Sequence, residues 1–367
     1  MDLLGILQSS SSSSSSTSDE NVEVIPNVIL PELLQELSKN ENFVENTVPL
    51  YNEQQFIQHF RLSRQLVQQL KVEFETSEYY PKKDTGFKRI TSEKCILAFL
   101  WFSANEAVSL RDVADRFDIS VSTLHNIVDN VAKFLSNKAN EVIVWPSPVE
   151  CRRICEEFTQ MGFPGVIGCI DGTHIRIDTP SEDAESYINR KKYHSIQMQV
   201  VCDNRLIRDV FIGYPGSVHD ARVFRNSPPC NSLAEVCLLC DSAYPTLRNL
   251  LTPYKDTGNL SSTQKKFNKN LSHCRVLIEH TIGLLKQRFR QLYHLKSRNV
   301  YFICHFIRAC CVVHNMCTRN NIEEYNVDEM ENENREEIIN ILNDDVQEEA
   351  DEVGLNYRNY VAAILDI

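Results

Sequence analysis

Apolar residues recur along this chain with two different periods, and the place where the period changes divides it. From about residue 91 to 134 the period is helical. Thr91 to Phe102 reads as one helix, and Ser109 to Phe134 as two more. In that pair, Ser109 with Asp112 three residues on makes a capping-box-like start, and Leu110, Val113 and Phe117 supply an apolar stripe. The stripe breaks over Phe117-Asp118-Ile119-Ser120 and resumes at Val121, Leu124, Ile127, Val128 and Val131. Two short helices joined by a tight turn make either an ordinary helical hairpin or a helix-turn-helix-like unit. The second helix of such a unit would present Ser122, Thr123, His125 and Asn126 to a DNA groove. The pattern admits both readings, and the turn lacks the glycine often found in the DNA-binding form.

From Gly165 the pattern becomes that of strands: Val166 to Ile177, Ser195 to Cys202 and Ile207 to Ile212. A short helix near His219 to Arg225 and a strand over Val236 to Leu239 follow. An insertion rich in Thr, Asn and Lys spans about Pro245 to Lys269. Cys274 to Leu292 then reads as a helix with an apolar stripe at Ile278, Ile282, Leu285, Phe289 and Leu292. Three strands, helix, strand, helix is the element order of a ribonuclease-H-like α/β fold. There, three adjacent strands form antiparallel pairs and a later strand lies parallel beside the first. The expected organisation is a disordered Ser-rich tail over 1–48, a helix-turn-helix-like DNA-binding region over 49–150, an α/β catalytic domain over 155–318 and an acidic tail over 319–367.

Composition narrows the partners. A chain of 367 residues with 42% apolar content can bury a full-sized core. No apolar run approaches the roughly 18 uncharged residues that a membrane span needs, so no membrane partner is expected. Met1-Asp2-Leu3-Leu4 lacks the basic flank of a signal peptide. The 13 cysteines sit mostly in apolar stretches, which suits buried thiols without disulfides. The group Cys304, His305, Cys310, Cys311, His314 and Cys317 could suggest zinc, but its apolar helical setting reads as a closing core helix. The net charge of −12 argues against nucleic acid until its distribution is considered. Residues 320–367 hold 15 acids against 2 bases and residues 1–86 hold 13 against 6, which leaves 30 bases and 22 acids in 87–319. Between Leu271 and Arg319 there are eight basic side chains and a single acid, Glu279. A carboxylate alone in a basic stretch is a site candidate.

Phosphodiester cleavage by two metals needs three or four carboxylates around divalent ions roughly 3.5–4 Å apart, one ion activating water and the other stabilising the leaving oxygen. Asp171 ends the apolar run of the first strand, and Asp241 follows the strand expected to lie beside it. Glu279 lies on the helix that should pack there, and Asp220 opens the short helix. Each also has a plainer reading. Asp171-Gly172 could be a hairpin turn, Asp220 a helix cap, Asp241 a loop acid, and Glu279 one half of an i, i+4 pair with Arg275. A second stripe on that helix, Arg275, Glu279, Gly283, Lys286 and Arg290, suggests phosphate contacts at Arg275, Lys286 and Arg290, with Gly283 leaving room for close approach.

Five ordered segments resemble the PIF/Harbinger DDE transposases and their domesticated nuclease relatives. They are Gly168-Cys169-Ile170-Asp171-Gly172-Thr173-His174-Ile175, Tyr214 to Phe224 around Gly216-Ser217-Val218-His219-Asp220, Leu239 to Pro245 around Asp241, Ile278 to Phe289 around Glu279, and Cys310 to Asn315. The likeness covers about 155 to 318, with Ala243 and His280 as small departures. It implies a metal-dependent DNA nuclease using Mg²⁺ or Mn²⁺, with Asp171, Asp241 and Glu279 catalytic and Asp171, Asp220, Asp241 and Glu279 as metal ligands. It also implies DNA as partner, a nuclear location with the cytoplasm as a second one, a protein partner supplying DNA binding or nuclear import, and room for a homo-oligomer. The rival reading is a catalytically silent DNA- or chromatin-binding adaptor that kept the fold.

Overall fold

The computed structural model describes residues 40–82, 89–106, 108–227, 236–322 and 350–365, so the serine run expected as a tail lies outside the described residues. The sheet is built around β1 (Val166–Ile177), the longest strand described. Its neighbours are β2 (Ser195–Cys202), β3 (Ile207–Pro215), β4 (Cys237–Leu239), β5 (Leu250–Leu251) and a short β6 (His294–Leu295). The order is β3-β2-β1-β4-β5, with β6 also on β1. β1 runs antiparallel to β2, β2 antiparallel to β3, and β4 parallel to β1, which is the pairing that the element order predicted. β2 is buried along its whole length, as a central strand covered on both faces must be.

Among the described residues, seven α-helices precede the sheet: α1 (Glu53–Phe60), α2 (Arg64–Thr76), α3 (Ser92–Ala104), α4 (Leu110–Arg116), α5 (Val121–Asn137), α6 (Ala139–Val142) and α7 (Pro148–Gln160). The Ser109–Asp112 capping box starts α4 as read from the sequence, and Asp118 takes a left-handed φ of 49° in the turn to α5. No glycine is needed there, because Asp tolerates that region better than most residues. Cys95 to Ala104 of α3 is buried all round, so α3 is a core helix and not a surface one.

After the first strands come α8 (Asp220–Arg225), α9 (Ser262–Arg288), α10 (Val300–Arg319) and α11 (Glu352–Ile364). α9 begins twelve residues before the expected Cys274, started by a Ser261–Gln264 capping box inside the stretch read as an insertion. That insertion also contains β5.

The change near residue 150 is a change of secondary structure and not a gap in the core. Phe306 of α10 meets Phe99 and Phe102 of α3 at ring-centroid distances of 5.6 and 5.8 Å. Asn315 on α10 accepts from Ile207 N at 2.9 Å and donates to Ile207 O at 2.7 Å, tying the same helix to β3. One apolar cluster runs through both regions. α10 is long and apolar enough to cross a membrane by composition, but most of it is buried in this core. His314 is satisfied on both ring nitrogens, by Arg288 at 3.0 Å and the Arg205 carbonyl at 3.2 Å.

Packed residues lie inside both segments expected as tails. Phe43, Val44 and Val48 are buried, with Phe43 edge-on to Trp101 and Phe117. At the other end, α11 docks beside β5. Arg358 is 5% exposed, its guanidinium 4.3 Å over the Tyr254 ring and donating to Thr252 Oγ1 and Pro253 O at 3.2 Å each. A buried arginine stem packs as well as pairs, which anchors an otherwise acidic segment.

Gly354 allows the close approach of α11. A Cβ there would sit 2.7 Å from Leu247 Cα and from Thr246 O, both backbone atoms. Alanine ordinarily favours a helix over glycine by about 1 kcal/mol. Here the clash is expected to win, so Gly354→Ala should lower the urea-unfolding stability of the full chain by about 1–3 kcal/mol. A stabilised variant would show that α11 rests loosely on the sheet.

Candidate active site

Asp171 and Gly172 are not a hairpin turn. They lie within β1, opposite Val200 and Gln199 of β2. On the other side, Cys169 of β1 is level with Leu239 of β4 in a parallel pair. Two residues further on, Asp171 lies within β1 and Asp241 just past the end of β4, so the register carries both acids to the same edge of the sheet. Asp171 Oδ1 accepts from Gly172 N at 2.8 Å, and Asp241 Oδ1 from Ala243 N at 2.9 Å. Both are half-buried.

Glu279 arrives on α9, which packs against β1. Lys286 helps fix that packing, because its Nζ donates to Thr173 Oγ1 at 2.8 Å and His174 O at 3.1 Å. Arg275, one turn before Glu279, places Nη2 3.2 Å from Asp171 Oδ2 and 3.7 Å from Glu279 Oε1. The i, i+4 pair is therefore real, but its arginine also reaches across to the strand acid.

Asp220 approaches β1 across Gly172. The N-cap of α8 is His219, so Asp220 does not cap the helix. Its carboxylate accepts from Gln197 Nε2 and occupies the space that a Cβ on Gly172 would fill. The glycine of the Asp-Gly dipeptide is thus required by close approach and not by a turn.

Burial raises the carboxyl of Asp171; Arg275 opposes this, and Asp241 and Asp220 add to it. Asp241 is raised by burial against the pull of Arg275. Asp220 is pushed up to about 7 by burial and then by Asp241, with the Gln197 donation opposing. Glu279 is raised by burial, Arg275 and His280 opposing and Asp241 adding. The four acids therefore sense one another. Among the described residues, however, no three Asp, Glu, His or Cys side chains already stand close enough to share a metal ion.

Two residues were missed by the sequence reading. Gln197 holds Asp220, and nothing in a strand Gln announces that. Tyr244 is buried, its hydroxyl has no hydrogen-bond partner, and its pKa is driven up by burial and by Asp220, Asp171 and Asp241. It lies three residues after Asp241, within a segment already singled out, which was the available signal. Hard oxygen donors, an orphaned hydroxyl beside them and a glycine cradle suit a Mg²⁺- or Mn²⁺-type ion.

The basic stripe is divided. Arg275 and Lys286 have internal partners, whereas Arg290 is exposed. Gly283 is buried in α9. On α5, which packs chiefly on α3 and α10, Ser122, His125 and Asn126 are exposed and Thr123 is half-buried. The Ser122 and Thr123 hydroxyls bond to Ser120 Oγ at 3.0 and 2.8 Å, and the His125 ring stacks near Phe302.

The family profile described as DDE superfamily endonuclease matches residues 170–315. A cattle (Bos taurus) protein described as "Putative nuclease HARBI1" is 32% identical over 242 residues, covering 62% of this chain and 68% of that protein. The human (Homo sapiens) protein of that description is 31% identical over 242 residues with the same coverage. An Arabidopsis thaliana protein described as "Protein ALP1-like" is 28% identical over 233 residues, 57% of this chain and 56% of that protein. The chain belongs to the Harbinger-transposase-derived DDE family. No solved structure matches it. The matched stretch of this family member begins one residue before Asp171 and ends at Asn315, so it contains all four acids and most of α10.

The raised carboxyl of Asp220 has a stability consequence. The folded chain holds that proton more tightly than the unfolded chain does. The group therefore costs nothing below its ordinary value of 3.8, and its penalty grows as pH rises through about 7. Metal-free Asp220→Asn is expected to melt about 2 °C above wild type near pH 8 and level with it near pH 4. A lower melting temperature at the higher pH would show that charge does not govern this corner.

Proposed function

We propose that this chain is a divalent-metal-dependent DNA endonuclease of transposase origin, its α/β portion being ribonuclease-H-like. The observation that carries this reading is the β1–β4 register, which sets Asp171 beside Asp241 while α9 brings Glu279 against the same strand. Asp171, Asp241 and Glu279 are the residues proposed to hold the metal, with Asp220 at the margin. Bound there, divalent ions would lower the pKa of a water and stabilise charge on the leaving oxygen.

The chain's own residues supply the rest. Gln197 fixes the Asp220 carboxylate, the backbone amides of Gly172 and Ala243 orient Asp171 and Asp241, and Lys286 locks α9 to β1 so that Glu279 keeps its place. The Tyr244 hydroxyl is free to donate to a water or phosphate oxygen beside the carboxylates. DNA is the proposed substrate and the nucleus the proposed location. For binding, the exposed side chains Ser122, His125 and Asn126, with Thr123 beside them, are proposed to face bases, and Arg290 to face phosphate. A further protein supplying DNA binding or import, and self-association, belong to the same proposal.

One observation favours the rival, a catalytically silent DNA- or chromatin-binding adaptor: Arg275 already neutralises part of the carboxylate group. A cleavage assay separates the two. Asp171→Asn and Glu279→Gln are each expected to lower Mn²⁺-dependent nicking at least about a thousandfold, equivalent to about 4 kcal/mol of barrier, with folding intact. Wild-type protein that binds DNA and never nicks it would establish the adaptor.

Binding itself can be dissected by salt. Arg290→Ala is expected to reduce the slope of log affinity against log salt by about 0.9, as one lost duplex-phosphate contact does. Lys286→Ala should leave that slope unchanged and lower the melting temperature, because its bonds are internal. Asn126→Ala should alter sequence preference. A slope insensitive to Arg290 removes it from the interface.

A further inference from the structure

Arg275 is placed unlike the other basic residues of its helix. It is half-buried, its Nη2 lies between Asp171 on the strand and Glu279 on its own helix, and its Nε has no hydrogen-bond partner. Burial works against its charge, but Asp171, Asp241 and Glu279 together more than offset that and hold the guanidinium charged. A structural arginine in this setting would normally use its planar fork in full, two parallel bonds to one carboxylate. Arg275 instead spreads one nitrogen over two acids from different elements and leaves another nitrogen unused. It is held by charge more than by shape.

From this placement we infer that Arg275 is a displaceable internal counter-ion: it occupies the space between the carboxylates in the metal-free protein and has to leave before divalent metal can bind. The inference rests on the reading of these acids as a metal site. Like charges cannot share that space, since a guanidinium and a divalent cation a few ångströms apart in a half-buried site repel strongly. The same placement explains why acids that sense one another electrostatically do not already form a set able to share a metal ion. Arg275 pairs with Asp171 and Glu279 individually, so closure of the acids on a common ion requires its withdrawal. The consequence is a threshold: metal affinity is set by competition with a tethered cation, not by the carboxylates alone.

The experiment is Mn²⁺ titration by calorimetry on the full chain without DNA. Arg275→Gln is expected to melt below wild type when metal-free and to bind Mn²⁺ at least about tenfold more tightly, since a competing charge has gone. Arg275→Lys, which keeps the charge, should bind close to wild type. In wild type, phenylglyoxal labelling of Arg275, read by mass spectrometry, should rise on adding Mn²⁺ as the guanidinium is released; this reading does not depend on any variant folding. A folded Arg275→Gln protein with equal or weaker Mn²⁺ affinity, or labelling of wild-type Arg275 unchanged at saturating Mn²⁺, overturns the inference. If neither wild type nor Arg275→Gln binds Mn²⁺ through Asp241, tested with Asp241→Asn, the metal-site reading itself fails.

Discussion

Carboxylates drawn out of water repel one another, and the arrangement of this molecule follows from having to hold four of them near a single strand. Every group that positions them is anchored in something rigid. Asp171 and Asp241 are fixed by strand register, Asp220 by a bond from the buried side chain of Gln197, and Glu279 by a 27-residue helix tied to β1 through Lys286. The burial that raises these acids is tolerated because the surrounding core is continuous. α10 belongs to it on both sides, touching the helical region through Phe306 and the sheet through Asn315. The helices before residue 150 thus do more than precede the site, since they complete the packing against which the sheet is held.

Much of this was legible from the sequence, because strand and helix periods are local properties. The long β1, the central β2 and the α4–α5 pair with its Ser109 capping box all follow from spacing alone. The adjacency of Asp171 and Asp241 was legible one step further on, from the element order, as a parallel strand beside the first places both acids at one level. What spacing could not give is the partner across space. Arg275 and Lys286 look alike in a stripe along α9. One enters the carboxylate group and the other crosses to Thr173, and only the packing angle of the helix decides between them.

Local signals point the wrong way at two segments, for one cause. Asp171-Gly172 resembles a turn because Gly after Asp is a turn signal, yet here the glycine makes space for a side chain arriving from α8. The residues after 319 look like an acidic tail because charge count hides a few well-placed apolar and aromatic contacts. Val361 and Ala362 are buried on α11, and a single arginine finds an aromatic face. Net charge reports the behaviour of a segment in water and says little about whether one of its faces is apolar enough to dock.

The docking of α11 has a further consequence for the sheet. β5 is the last strand on its side, only two residues long, and a strand in that position exposes unpaired backbone groups to any other extended chain. The neighbouring backbone at Thr246 is already engaged, pairing with Ala350 and accepting from Asp351 N at 3.1 Å just before α11 begins. The segment leading into α11 thus covers the margin of the sheet. An extended strand approaching that margin would first have to displace α11, a barrier set by packing and independent of the carboxylates.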